Sequence, residues 1–157
     1  MKKIWAPWRM EYILHVDDSV KCIFCEKKQY VLKETRYAMV MLNLFPYNPG
    51  HLMVAPKRHV ANLEDLTDEE LKEIMELTQK SVKVLKEIAN PDGFNIGINI
   101  GRVAGAGFEG HIHVHVVPRW NGDTNFMPII GETKVIPEGI EKTFKKLKPY
   151  FERRNGT

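Results

Sequence analysis

Three histidines alternate with β-branched residues in the stretch His111-Ile112-His113-Val114-His115-Val116-Val117-Pro118-Arg119. Ile and Val favour strands, and a strand turns successive side chains to opposite faces. The spacing therefore predicts three imidazoles on one face and Ile and Val directed into a core on the other. The chain has six histidines, so half of them crowd one face of one strand. A single strand histidine is ordinarily a surface or satisfied core residue. Three at strict alternation are harder to dismiss, because neighbouring imidazoles cannot all carry charge cheaply. Near neutral pH imidazole is a nucleophile, a general acid or base, or a metal ligand. A three-histidine metal site is a competing use of such residues. Side chains at i, i+2 and i+4 nevertheless spread over roughly 13 Å, at ~3.3 Å per residue. That spread strains the shell of one small ion and suits a row of groups laid along an extended polyphosphate.

The remaining pattern predicts an α+β domain built on an antiparallel sheet. Residues 36–44 and 51–56 read as strands, with Asn48-Pro49-Gly50 as the turn between them. Thr67-Asp68-Glu69-Glu70 is a capping box that opens a helix. Leu71, Ile74, Met75, Thr78, Val82, Leu85 and Ala89 continue it at helical spacing to about Asn90, where Pro91-Asp92-Gly93 stops it. Phe94, Ile96, Ile98 and Ile100 alternate with polar residues and glycine, the pattern of a half-buried strand. A glycine-rich loop from Gly101 to Gly110 leads into the triad strand. Residues 121–136 are loop-like, and a last helix runs from about Pro137 to Phe151 with proline in its first turn. Pro118 is expected to end ladder pairing. Residues 1–20 form an aromatic arm. Its Trp5, Trp8 and Tyr12 are too costly to leave in water, so the arm is expected to cover the domain or a partner subunit.

The 157 residues suit one domain with a sizeable core. No apolar run approaches the ~20 residues that cross a bilayer. Pro7, Arg9 and Glu11 interrupt any secretory segment after Lys2 and Lys3, so a cytoplasmic protein without a membrane partner is expected. The net charge of +3 suits a polyphosphate ligand and is too small to indicate nucleic acid. Lys142, Lys145, Lys146 and Lys148 read as a solvated helix face.

The His-x-His-x-His run followed by two apolar residues resembles the histidine triad superfamily of nucleotide hydrolases and transferases. Asn48-Pro49-Gly50-His51-Leu52-Met53-Val54-Ala55-Pro56-Lys57-Arg58-His59 resembles the strand pair ahead of that family's active site. Trp5-Ala6-Pro7-Trp8-Arg9 and the run from Arg119 to Pro128 are similar to one branch, the bacterial diadenosine tetraphosphate phosphorylases. The resemblance implies one histidine triad domain over residues 1–157. It implies about five antiparallel strands, one long central helix, a C-terminal helix and a symmetric homodimer. It also implies that His113 attacks the α-phosphorus to form an AMP-histidine intermediate. His115 would bond phosphate oxygens and assist the leaving group, and His51 would be a further phosphate-side histidine. Without the resemblance, His51 reads equally as a strand-end surface residue. Phosphorolysis of diadenosine tetraphosphate to ATP and ADP is the implied reaction. Hydrolysis of dinucleoside polyphosphates or adenosine phosphoramidates, and a non-catalytic zinc-stabilised nucleotide-binding role, are the alternatives.

The resemblance further places Asn43 at the ribose and Asn99 at a second nucleotide contact. An amide side chain can both donate to and accept from sugar hydroxyls, although Asn at a strand end is often turn chemistry alone. Leu44 and Phe45 could wall the base or belong to the core. Gly105 and Gly107 lie in the loop where backbone N–H groups could approach phosphate. The chain lacks the Gln followed by Ser or Thr that the family's hydrolases carry ahead of the triad, and Gly107 stands where the phosphorylase branch often has Ser. Cys22-Ile23-Phe24-Cys25 lacks the strand-to-helix setting of a redox pair, and a cytoplasmic setting disfavours a disulfide. Two thiolates need two further ligands to close a tetrahedral zinc site, and the resemblance supplies His59 and His111, with Zn2+ in a structural role. Arg119 could position phosphate or be a solvated arginine. Residues 121–128 could serve the nucleotide pocket or a dimer contact.

Overall fold

The computed structural model describes residues 22–26, 28–125 and 136–153. The aromatic arm, with Trp5, Trp8 and Tyr12, lies outside the described residues, as does the segment 126–135. Five strands form one antiparallel sheet: β1 (Val31–Glu34), β2 (Ala38–Leu42), β3 (Leu52–Pro56), β4 (Gly93–Ile98) and β5 (Val114–Arg119), in the order β1-β2-β3-β5-β4. Among the described residues, the α-helices α1 (Asp68–Ala89) and α2 (Ile140–Glu152) join this sheet in an α+β fold.

The sheet separates two apolar clusters by the period-two alternation of its strands. Val40, Leu42, Leu52, Val54, Val114 and Val116 meet Ile74, Leu77, Val84 and Leu85 of α1 and Leu147 and Phe151 of α2. The other face carries a smaller cluster of Cys22, Phe24, Met41, Met53 and Ala55. The triad lies on this face, opposite to α1 and α2, since His115 pairs with Met53 across the ladder.

α1 begins as its capping box requires. Thr67 accepts from the Glu70 N–H while the Glu70 carboxylate accepts from the Thr67 N–H. It ends at Asn90, which takes left-handed dihedrals (φ 43°, ψ 56°). The stripe facing the sheet is rotated from the expected one. Glu70, Ile74, Leu77, Thr78, Ser81, Val84 and Leu85 are buried, whereas Leu71 and Met75 are exposed. The bidentate Arg58–Glu70 pair (2.9 Å to each carboxylate oxygen) makes burial of Glu70 possible and turns that edge inward.

Other boundaries shift for local reasons. β4 forms, but Ile96, Ile98 and Ile100 are exposed, because β4 is an edge strand that α1 and α2 do not cover. β5 begins at Val114, so His111 and His113 precede the regular strand. Pro118 does not end the ladder. β3 pairing stops at Val116, but β4 pairing continues through Pro118 to Arg119, since proline lacks only the donor on one side. Pro137 lies outside α2, which starts at Ile140 after Gly139.

Candidate active site

The backbone decides what each triad ring can do. His113 Nδ1 lies 2.8 Å from the His111 carbonyl oxygen. A carbonyl only accepts, so Nδ1 carries the proton and Nε2 keeps its lone pair. Burial pushes the His113 pKa down from its ordinary value, partly offset by that same carbonyl. The result is a neutral imidazole with Nε2 unprotonated, the form a nucleophile requires.

His115, half-buried on β5, is set differently. The Tyr47 N–H donates to His51 Nδ1 at 3.1 Å, which leaves the proton of neutral His51 on Nε2. His51 Nε2 lies 2.9 Å from His115 Nδ1. His51 therefore donates, His115 Nδ1 accepts, and the proton of His115 sits on Nε2. Burial is the leading cause that lowers His51 to about 3 and His115 to about 4, with the neighbouring imidazoles adding to it. The rings of His113 and His115 are 4.7 Å apart. A lone pair on one and an N–H donor on the other thus stand side by side, suited to attack on phosphorus with support for the departing oxygen.

His51 is fully buried and is not a strand-end surface residue. The turn that delivers it is held from below. Gly50 has φ 81°, and a Cβ there would meet Leu85 Cδ2 at 3.0 Å, so both conformation and space call for glycine. Asn48, also buried, donates to the Pro118 carbonyl (2.9 Å) and to Asp123 (2.7 Å). Asp123 is gripped by Arg119 through two hydrogen bonds of 2.6 and 3.0 Å, and that guanidinium holds its carboxyl well below the usual carboxylate range. Arg119 also donates to Asn95 at 2.7 Å. Its guanidinium is engaged in this brace while 44% of the side chain stays exposed, so the arginine is solvated but paired.

Of the residues expected at the nucleotide, Asn43 lies beside the His51–His115 pair. Asn43 Nδ2 lies 3.5 Å from His51 Nε2, and its oxygen accepts from the Phe45 N–H at 2.9 Å. Leu44 and Phe45 are exposed and not in the core. Asn99 Nδ2 reaches the Gly105 carbonyl at 3.4 Å, tying the end of β4 to the glycine loop. Gly105 takes φ 90° and donates its N–H to the Arg102 carbonyl at 3.0 Å. That N–H shapes the loop and is not directed at an anion, while Gly107 follows two residues on. Gly97 pairs with His115 on β4 and has no side chain to cover it.

Cys22, Cys25, His59 and His111 form the second cluster, with all four ligand atoms within 4.8 Å of one another. His111 Nε2 donates to the Pro56 carbonyl at 2.7 Å, leaving Nδ1 free to ligate. From that Nδ1, Cys22 Sγ is 3.4 Å away, Cys25 Sγ 3.6 Å and His59 Nδ1 3.3 Å. Cys25 Sγ and His59 Nδ1 are 3.4 Å apart. Two sulfurs and two nitrogens gathered within 4.8 Å can hold a metal ion. Phe24, between the cysteines, is fully buried with its ring 4.8 Å from His111 and 5.0 Å from His113. Sequence reasoning missed Phe24, Tyr47 and the Asn48–Asp123–Arg119 brace. Only the position of Tyr47 four residues before His51 offered a signal.

Comparison with known proteins agrees with this geometry. A family model described as HIT domain matches residues 25–122. The chain is 42% identical over 168 aligned residues to the AP-4-A phosphorylase of Mycobacterium tuberculosis, covering 98% of this chain and 86% of that one. It is 36% identical to the bis(5'-adenosyl)-triphosphatase of Dictyostelium discoideum, covering 75% and 83%. Among solved structures, a Zn-bound histidine triad family protein from Mycobacterium smegmatis superimposes with a TM-score of 0.63 at 26% identity, covering 90% and 91%. With its triad, its sheet and these relatives in agreement, the chain belongs to the histidine triad (HIT) family.

Proposed function

We propose that the protein transfers AMP from diadenosine tetraphosphate to inorganic phosphate through a covalent intermediate on His113. The observation that carries this reading is the His113 Nδ1–H bond to the His111 carbonyl, which leaves Nε2 as the free nucleophile. In the first step the Nε2 lone pair forms an N–P bond to the α-phosphorus, and the bridging P–O bond breaks to release ATP. The adduct ring keeps its Nδ1 proton and is cationic, and the His111 carbonyl stabilises that charge. In the second step a phosphate oxygen attacks the same phosphorus, the N–P bond breaks, and ADP leaves.

His115 acts as a hydrogen-bond donor through Nε2–H to the departing oxygen. A neutral imidazole that surrendered this proton would become an imidazolate, so it stabilises charge without giving the proton up. His51 fixes that tautomer and the orientation of His115. Asn43 binds the ribose, Leu44 and Phe45 border the base, and Asn99, Gly105 and Gly107 form the loop beside the phosphates. The name of the M. tuberculosis relative supports phosphate as acceptor. The D. discoideum relative, named a triphosphatase, supports hydrolysis as the second reading.

Zinc is the metal we assign to Cys22, Cys25, His59 and His111. Bonds of ~2.0–2.1 Å to nitrogen and ~2.3 Å to sulfur at tetrahedral angles place ligand atoms roughly 3.3–3.8 Å apart. Four of the six edges, at 3.3, 3.4, 3.4 and 3.6 Å, fit that range, and all six stay within 4.8 Å. A closed four-ligand zinc supplies cross-linking and no open position for substrate. We also assign a homodimer formed along β4, whose edge presents exposed Ile96 and Ile98. No helix among the described residues is long and apolar enough to cross a membrane, and a cytoplasmic enzyme is the setting we assign.

Product analysis tests the reaction. Purified protein given diadenosine tetraphosphate should yield ATP plus ADP only when phosphate is present. ATP plus AMP regardless of phosphate would replace phosphorolysis by hydrolysis. Tight nucleotide binding with no turnover under either condition would leave the non-catalytic alternative.

A further inference from the structure

Tyr47 touches both members of the His51–His115 pair and has no role in the reaction as described so far. Its backbone N–H sets the His51 tautomer. Its ring lies 4.7 Å from the His51 ring, tilted by 44°, and 6.1 Å from the His115 ring with planes 25° apart. His51 is fully buried while Tyr47 is 43% exposed, so the tyrosine ring is the outer cover of the pair. The 2.9 Å His51–His115 bond depends on the orientation of two rings. Imidazole rings rotate about a broad torsion, and a hydrogen bond weakens steeply once its donor angle falls away from linear. Without a cover, neither ring is held on its solvent side.

We propose that Tyr47 is a positioning residue for the leaving-group donor: its ring clamps His51 against His115 so that His115 Nε2–H faces the departing oxygen. The proposal rests on the reading of His115 as that donor. It assigns the work to the ring face and not to the phenol hydroxyl, so phenylalanine should serve equally well. Because the side chain is largely outside the core, its removal leaves the apolar clusters intact.

The reaction's sensitivity to the leaving group separates positioning from general structural support. Two AMP aryl esters of matched shape provide the probes. The 4-methylphenyl ester releases a phenol of tyrosine-like basicity, with pKa about 10, while the 4-nitrophenyl ester releases a far more stable anion. A donor to the departing oxygen matters most where charge on that oxygen is least stable. The measurement is kcat/KM, which reports the first step, for wild type, Tyr47→Ala and Tyr47→Phe on both esters. Tyr47→Ala should lose ~10-fold or more in excess on the 4-methylphenyl ester, and Tyr47→Phe should restore the wild-type ratio. Equal losses on both esters, no loss, or a Tyr47→Phe variant as impaired as Tyr47→Ala would overturn the proposal. Wild-type release of AMP or ADP from diadenosine tetraphosphate is the separate control. Its absence would strike the proposed activity, whereas its presence with an unchanged ester ratio would strike only the role of Tyr47.

Discussion

His113 and His115 are two residues apart and chemically opposite, because one ring is read by a carbonyl and the other by an imidazole. The carbonyl of His111 leaves His113 with a lone pair at Nε2, and His51 leaves His115 with a proton there. His113→Ala should lower turnover by ~10³-fold or more while metal content and the far-UV circular dichroism spectrum stay as in the wild type. Substantial surviving activity would move the nucleophile elsewhere. Acid provides a second check. The folded-state pKa values of His115 and His51 are depressed to about 4 and about 3, against ~6.5 in the unfolded chain. Above ~6.5 both states are neutral at these rings and their contribution to stability is complete. As pH falls from there toward about 4 and then about 3, the unfolded chain takes up protons that the folded protein refuses. Stability should therefore fall over that window. Urea titrations at neutral and mildly acidic pH measure it, and His51→Gln should flatten the slope. The alternation of the triad was legible in the sequence. The tautomers were not, since those of His51, His111 and His113 are set by backbone atoms of Tyr47, Pro56 and His111 with no side-chain identity to read, and that of His115 follows from His51.

At the level of elements, the knuckle from Cys22 to Cys25 joins the metal cluster to the active site. It supplies two of the four side chains that could hold a metal ion and carries Phe24 against both His111 and His113. Chelation, or Cys22→Ser, should lower Tm by ~5 °C or more, with loss of one zinc per chain by elemental analysis. A metal-free wild-type protein of unchanged Tm would remove the zinc assignment. Legibility varied among elements according to how local their determinants are. The capping box of α1 lies within four residues, so its start was read correctly. The buried stripe of α1 depends on Arg58 from another segment, and the sequence pattern gave a rotated face. β1 was not singled out, because Val31-Leu32-Lys33-Glu34 is short and carries a register shift against β2. β4 was recognised by its alternation, yet its exposure follows from how far the helices reach, which no window of sequence contains.

At the scale of the whole molecule, the chemistry lies on the face of the sheet opposite to α1 and α2, and among the described residues β4 is an edge strand with exposed isoleucines. An unpaired edge with exposed isoleucines invites pairing with a second copy. Ile98→Lys should shift the particle measured by size-exclusion light scattering from dimer toward monomer, and an unchanged monomeric wild type would contradict the homodimer. The α+β class and both helices were legible from the residue pattern, whereas the count of five strands came through the family resemblance, whose motifs span most of the chain. The brace of Arg119, Asp123 and Asn48 was not, since it closes contacts separated by up to 75 residues. The central claim is the AMP–His113 intermediate, and mass spectrometry tests it most directly. The protein is mixed with diadenosine tetraphosphate without phosphate, quenched and digested, and a parallel sample is chased with phosphate before the quench. The account predicts AMP on the peptide containing His113, absent in His113→Ala, and its conversion to ADP in the chase. AMP on another residue, or steady turnover with no adduct detectable at any time, would contradict it.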